Sequence, residues 1–295
     1  MLGRRGFLGL AASLAVVPFA LSGCVDQHPS KREGTAESIV ATSPAVVDIC
    51  YRLDLDLAGV PKTSQVMPDR YADAQVVGPP MSPDIEILSL MRPDYVISPL
   101  TLAEDLRPKY AAAGLPSIFL DLKSVGGMYA SMSYLAEKFS RQSEYEQLEA
   151  AWRYYMQSFS QSIEGAPAPS VLLLMGVPGS YLVATENSYV GSLVADAGGR
   201  NVYEGTGEEF VNANTEDMLS RDPDVILRTA HALPDQIREM FAEEFSTNDI
   251  WKHFRAVQEG RVHDLTYEWF GMSATFEYPK AFEELRRVLY GASVA

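Results

Sequence analysis

One twelve-residue phrase recurs in this chain with its Glu, Pro and Asp in place. Glu86-Ile-Leu-Ser-Leu-Met-Arg-Pro93-Asp94-Tyr-Val-Ile returns 130 positions later as Glu216-Asp-Met-Leu-Ser-Arg-Asp-Pro223-Asp224-Val-Ile-Leu. In each copy the glutamate precedes Pro-Asp by seven residues and a β-rich run follows. A short helix that opens at the glutamate and runs into a strand fits both copies. The pattern therefore predicts two similar α/β lobes. An acidic residue in the first turn also suits the helix dipole, so these glutamates have a local explanation as well.

The rest of the sequence agrees with two lobes. Ser38 to Thr42 reads as a strand, and Ser43 then caps a helix that begins at Pro44 and stops near Gly59-Val60-Pro61. Gln75 to Val77, Tyr95 to Ser98 and Ser117 to Leu120 read as further strands, with helical segments between them. Such alternation predicts a largely parallel sheet. A different element follows. Ser143-Glu144-Tyr145-Glu146 forms a capping box, and Leu148, Trp152, Tyr155, Phe159 and Ile163 make one apolar stripe ended by Gly165 and Pro167. This predicts one helix roughly 30 Å long. Strands then resume at Val171 to Met175, Tyr181 to Thr185, Val225 to Leu227 and near Val262, and a last helix runs from Pro279 to Tyr290. The expected division is residues 37–141 for the first lobe, 142–165 for the connecting helix and 166–295 for the second lobe, with a ligand cleft between the lobes.

The beginning of the chain reads as an export signal. Arg4 and Arg5 precede an apolar run from Gly6 to Ala20, and Leu21-Ser22-Gly23 leads to Cys24. About 15 apolar residues are too few to span a bilayer, which takes about 20. Arg4-Arg5-Gly6-Phe7-Leu8 resembles a twin-arginine signal. The small residues before Cys24 look like a lipobox, which implies removal of residues 1–23 and acylation of Cys24. Residues 24–36, which include His28, then form a polar tether. Removing Arg4 and Arg5 takes the formal net charge from −15 to −17. That acidity, with no basic patch, excludes nucleic acid as a partner. Cys50 is the other cysteine and shares a helical pattern with Val46, Leu53 and Leu57, so we expect it in the core.

Two α/β lobes joined by one long helix behind a lipobox resemble the helical-backbone class of ABC substrate-binding proteins, which carries siderophores, cobalamin and haem. Within that class, Val77-Gly78-Pro79-Pro80-Met81-Ser82-Pro83-Asp84 and Arg228-Thr229-Ala230-His231-Ala232-Leu233-Pro234 look like the haem-binding lipoproteins of Gram-positive haem uptake. The resemblance implies that Met81 and His231 hold the haem iron. It also implies that Glu86 and Glu216, one per lobe, dock on the two subunits of an ABC permease with its ATPase. The protein would be a monomer, lipid-anchored on the extracytoplasmic face of the cell membrane, and not an enzyme.

The residues support that chemistry in their own right. Met81 follows a strand and precedes a helix, with Ser82 as the expected N-cap and Pro83 as the first helical residue. His231 likewise follows a strand and precedes Pro234. Loops beyond the carboxyl ends of strands are where α/β sheets bind ligands. Thioether and imidazole together are an axial pair for haem iron. A lone loop methionine is by default packing, and a lone histidine a surface residue. Arg228 and Arg70 are candidate donors to the haem propionates, and Tyr181 and Tyr189 candidate pocket walls. His253 and His263 are expected to be structural. Three alternatives compete. A siderophore or cobalamin binder needs no Met–His pair. A Zn²⁺ or Mn²⁺ binder needs three or four clustered ligands. A hydrolase needs a nucleophile elbow, and no Gly-x-Ser-x-Gly occurs.

Overall fold

A computed structural model describes residues 37–212 and 214–291. The signal, Cys24 and the tether with His28 lie outside the described residues. The first lobe is built from β1 (Ile39–Ala41), α1 (Pro44–Arg52), β2 (Gly59–Val60), β3 (Gln75–Val76), α2 (Ile85–Met91), β4 (Tyr95–Pro99), α3 (Ala103–Ala112), β5 (Ser117–Leu120) and α4 (Val125–Phe139). Its sheet has the order β3-β2-β1-β4-β5, and every pairing is parallel. α5 (Gln142–Ser162) follows. The second lobe holds β6 (Ser170–Val177), β7 (Ser180–Ala184), α6 (Tyr189–Asp196), β8 (Arg200–Asn201), β9 (Phe210–Val211) and α7 (Thr215–Ser220). It continues with β10 (Val225–Ala230), α8 (Pro234–Thr247), α9 (Arg255–Gln258), β11 (Val262–Asp264) and α10 (Tyr278–Tyr290). Its sheet runs β11-β10-β6-β7-β9, with β8 also on β6.

Both sheets are covered on both faces, and the strand period of two sorts the side chains. Ile39, Ala41 and Ile97 join one core while Val40 and Val96 join another. In the second lobe Val171, Leu173, Met175, Val225 and Leu227 face the first of these cores, and Leu172, Leu174 and Ile226 the opposite side. The shared core runs through both lobes and takes in the buried faces of α1, α4, α6 and α10. Each fully buried Leu, Ile or Phe contributes roughly 1.5–3 kcal/mol, so this layer carries much of the stability.

Four local expectations differ from what is observed. α1 starts as expected, with Ser43 accepting from the Val46 backbone N–H, but it ends at Arg52. Asp54 takes a left-handed φ of 52°, the Leu55 N–H closes on the Cys50 carbonyl at 2.9 Å, and Gly59–Val60 becomes a strand instead. α5 begins at Gln142, not at Ser143. Only Ser140 and Arg141 separate it from α4, so Ser143 already lies inside the first turn and its hydroxyl donates to Glu144. α2 is capped by Asp84, which accepts from the N–H groups of Glu86 and Ile87, so neither Ser82 nor Pro83 opens that helix. Finally, β7 is antiparallel to β6. The turn between them is Pro178-Gly179, with Gly179 at φ 79°.

The repeat has a structural meaning that its sequence did not state. In the first copy the Ser38 N–H donates to Asp94 Oδ2 at 2.7 Å, and the Asp94 N–H returns to the Ser38 carbonyl at 2.8 Å. In the second copy the Ser170 N–H donates to Asp224 Oδ2 at 2.7 Å, and the Asp224 N–H returns to the Ser170 carbonyl at 2.9 Å. Each Pro-Asp thus clamps the amino end of the neighbouring strand in its lobe, β1 in one and β6 in the other.

Candidate functional site

Met81 lies in the turn between β3 and α2. The path into that turn is stiff. Gly78 takes φ 96°, Pro79 and Pro80 follow, and the Ser82 N–H closes on the Pro79 carbonyl at 3.0 Å. The Asp84 N–H also returns to the Val77 carbonyl at 2.7 Å. A loop closed this tightly holds its apex outward, and Met81 is 68% exposed. An exposed methionine on a rigid turn contributes little to folding and leaves its thioether free to act as a ligand.

His231 directly follows β10, which is flanked in parallel by β6 and β11. Its backbone N–H donates to the Gly176 carbonyl of β6 at 2.9 Å, so the sheet itself sets where the imidazole begins. Leu233, at φ 51°, then turns the chain into α8, which opens at Pro234. The ring is partly buried. Its Nδ1 is fully buried and has no hydrogen-bond partner among the described residues, so no protein acceptor orients that nitrogen. A ring in this position has only Nε2 to offer outward.

Both residues therefore stand beyond the carboxyl ends of parallel strands, one in each lobe. Loops of the two lobes also meet. The Ala274 N–H donates to the Leu122 carbonyl, two residues past β5, at 2.8 Å. Lys123 pairs with Glu209 of the second lobe at 3.6 Å. Thr229 of β10 donates through its hydroxyl to the Phe270 carbonyl at 2.8 Å. The 265–277 loop is thus tied to the first lobe and to the strand that ends at His231. Two surface hollows, of about 620 and 610 Å³, lie elsewhere, and neither Met81 nor His231 lines them.

The arginine candidates are differently placed. Arg228 lies directly opposite Asp264 in the register of β10 with β11. It donates to that carboxylate twice, at 2.8 and 2.7 Å, and its side chain is only 13% exposed. Arg70 is held by Asp54 and Asp56, and their hydrogen bonds push its guanidinium up. Each arginine already has a carboxylate partner within the protein, which a propionate would have to share. Tyr189 is core, 2% exposed, and burial pushes its hydroxyl up to about 12. Tyr181 donates to Glu244 at 3.1 Å and packs on Phe241 and Trp251. His253 belongs to a short 3₁₀ turn. His263 lies on β11, and its imidazole is held below the usual range by burial and by Arg287 and Arg261. Cys50 is a buried free thiol, pushed up to about 12 by burial. Among the described residues no three His, Cys, Asp or Glu side chains come together as a metal site, and no helix is long and apolar enough to cross a membrane.

Glu86 and Glu216 occupy the second position of α2 and α7. The caps of those helices are Asp84 and Asn214, so the glutamates are not needed as caps. Both are exposed and have no hydrogen-bond or ion-pair partner among the described residues.

Residues 39–268 match the model of the periplasmic binding protein family. The chain belongs to that family. The high-affinity heme uptake system protein IsdE of Staphylococcus aureus strain Newman is 37% identical over 285 residues, 94% of this chain and 96% of the relative. Among solved structures, an ABC transporter substrate-binding protein from Listeria monocytogenes EGD-e superposes with a TM-score of 0.83 at 43% identity, covering 87% of this chain and 99% of the other. S. aureus IsdE complexed with heme superposes with a TM-score of 0.81 at 36% identity, covering 87% and 100%. The two-lobed architecture is therefore that of this family.

Proposed function

We propose that this protein captures haem outside the cytoplasm and delivers it to an ABC permease for haem-iron uptake. One observation carries the proposal: Met81 and His231 stand one in each lobe, each on a loop at the carboxyl end of parallel strands. Thioether and imidazole are suited to the two axial positions of haem iron, and likeness to a heme uptake protein over 94% of the chain supports that choice. Haem is cargo here, taken up and released. His231 would coordinate through Nε2, since Nδ1 is enclosed. Cys24 would anchor the mature chain to the membrane by its lipid, with residues 24–36 as the tether and the two lobes held outside as a monomer. Glu86 and Glu216 would meet basic pockets on the two permease subunits. A siderophore or cobalamin binder of the same fold would have no use for the Met81–His231 pair, because those ligands bring their metal already chelated.

Adding haemin to the full chain in detergent tests this. We expect saturation at one equivalent with low-spin bands. His231→Ala should weaken binding more than Met81→Ala, because imidazole is the stronger donor. Met81→Ala should leave the thermal midpoint unchanged, given the exposure of that side chain. No saturable Soret change, or wild-type spectra in both variants, would remove the assignment.

A further inference from the structure

Haem carries propionate carboxylates at its edge. A chain of formal net charge −15 repels them unless a cation stands where they arrive. The loops that leave the carboxyl ends of the parallel strands hold few cations. Among the described residues of those loops the lysines and arginines are Lys62 and Arg70 after β2 and Lys123 after β5. Arg70 is held by Asp54 and Asp56. Lys123 pairs with Glu209 at 3.6 Å. Lys62 is exposed, and its ammonium has no hydrogen-bond or ion-pair partner among the described residues.

The backbone of Lys62 is fixed to the turn that carries Met81. Val60 of β2 lies opposite Val76 of β3. Beyond that pair the Val77 N–H donates to the Val60 carbonyl at 2.9 Å, and the Lys62 N–H donates to the Gly78 carbonyl at 2.7 Å. The ladder thus runs past the ends of both strands, and Lys62 lies about one strand spacing, roughly 4.8 Å, from Gly78. Gly78, at φ 96°, opens the Met81 turn. Pro61 is buried, which anchors the chain on the other side of Lys62. What remains free is the side chain, an ammonium with three donors on a flexible stem. A donor of that kind beside the Met81 turn suits a carboxylate at the rim of a ligand held by the thioether.

We propose that the Lys62 ammonium pairs with a propionate of the bound haem and so helps to set which edge of the ring lies toward the first lobe. This rests on haem being the cargo and Met81 a ligand to its iron. Lys62 is a positioning residue and does not touch the metal. Haemin and its dimethyl ester, which keeps ring and iron but has no carboxylate, are each titrated into the full chain in detergent. Lys62→Gln should bind haemin about two- to fivefold more weakly than the unaltered protein, the range of an exposed ion pair. It should bind the dimethyl ester as well as the unaltered protein does. Partition of either compound into detergent is common to both proteins and cancels in these ratios. Circular dichroism should show an unchanged fold, since the side chain is exposed and unpaired. Unchanged haemin affinity in Lys62→Gln, or the same loss for both compounds, would overturn the proposal and leave haem binding standing. Absence of saturable haemin binding by the unaltered protein would overturn both.

Discussion

Replacing Asp224 by alanine tests the role of the repeated Pro-Asp as a clamp. The Asp224 carboxylate accepts from the Ser170 N–H at 2.7 Å, from the Ser170 hydroxyl at 2.8 Å and from Arg255 Nη2 at 2.8 Å. Burial pushes this carboxyl up. The Ser170 N–H, the Arg255 guanidinium and the Ser170 hydroxyl overcome that, and hold it at about 2 against an ordinary value of 3.8. Ser170 is 6% exposed, so its N–H is left without water when the acceptor goes. An unsatisfied buried donor costs about 1–3 kcal/mol, and losing the partly exposed guanidinium contact adds up to about 1 kcal/mol. We therefore expect Asp224→Ala to cost about 1–4 kcal/mol. Asp94→Ala removes a single acceptor from Ser38, which is only partly buried, and should cost about 1 kcal/mol or less. Urea unfolding of the full chain at neutral pH, read from the midpoint at unchanged slope, measures both. A carboxyl lowered on folding stabilises above its unfolded value and loses that contribution as pH falls through the folded one. The gap between wild type and Asp224→Ala should thus be full above about pH 4 and close as pH drops from 3.8 toward about 2. Equal losses in the two variants, or a gap that persists at pH 2, would refute the clamp.

Three further outcomes follow from the structure. A Cβ on Gly191 would stand 1.7 Å from the Thr185 carbonyl oxygen, so Gly191→Ala should destabilise by about 1–3 kcal/mol or more, measured by the same urea midpoints. A Glu86→Arg, Glu216→Arg double variant should keep its fold and haem spectrum, since both side chains are exposed and unpaired. It should fail to stimulate the permease ATPase in liposomes, and wild-type stimulation would leave the two acids as dipole partners only. Haem should be released as the solution is acidified, because protons compete with iron for the imidazole nitrogen; a Soret band unchanged down to about pH 3 would argue against a histidine ligand.

The parts of this fold that were legible in sequence are those with a sustained period. The strands at 95, 117, 170 and 225 and the helix ending at Tyr290 carry enough apolar residues in register to declare themselves. β2, β8 and β9 are two residues each, too short to hold a period, and their pairing is set by neighbours far along the chain. The β6–β7 hairpin had a signal, Pro178-Gly179, and it marks a turn that forces antiparallel pairing. The capping box at Ser143 misled because a preceding helix, ending at Phe139, already fixed the chain's entry into α5. The place of Met81 and His231 after strand ends was legible because each sits in a short phrase beside a β-rich run. The partners of Arg228 and Arg70 were hidden for a physical reason. Arg228 meets Asp264 only through the register of β10 on β11, and Arg70 meets Asp54 only because Asp54 turns into the left-handed region.

The loop from 265 to 277 ties the two lobes to each other. It is sewn to β10 by Thr229 and Phe270 and to the far side of the seam by Leu122 and Ala274. That tie forms when the chain folds, before any cargo arrives. On the proposed function, haem would meet loops already joined and would spend little of its binding energy on joining them. On that reading, a permease that moved the two lobes apart for release would first have to break the Leu122–Ala274 hydrogen bond.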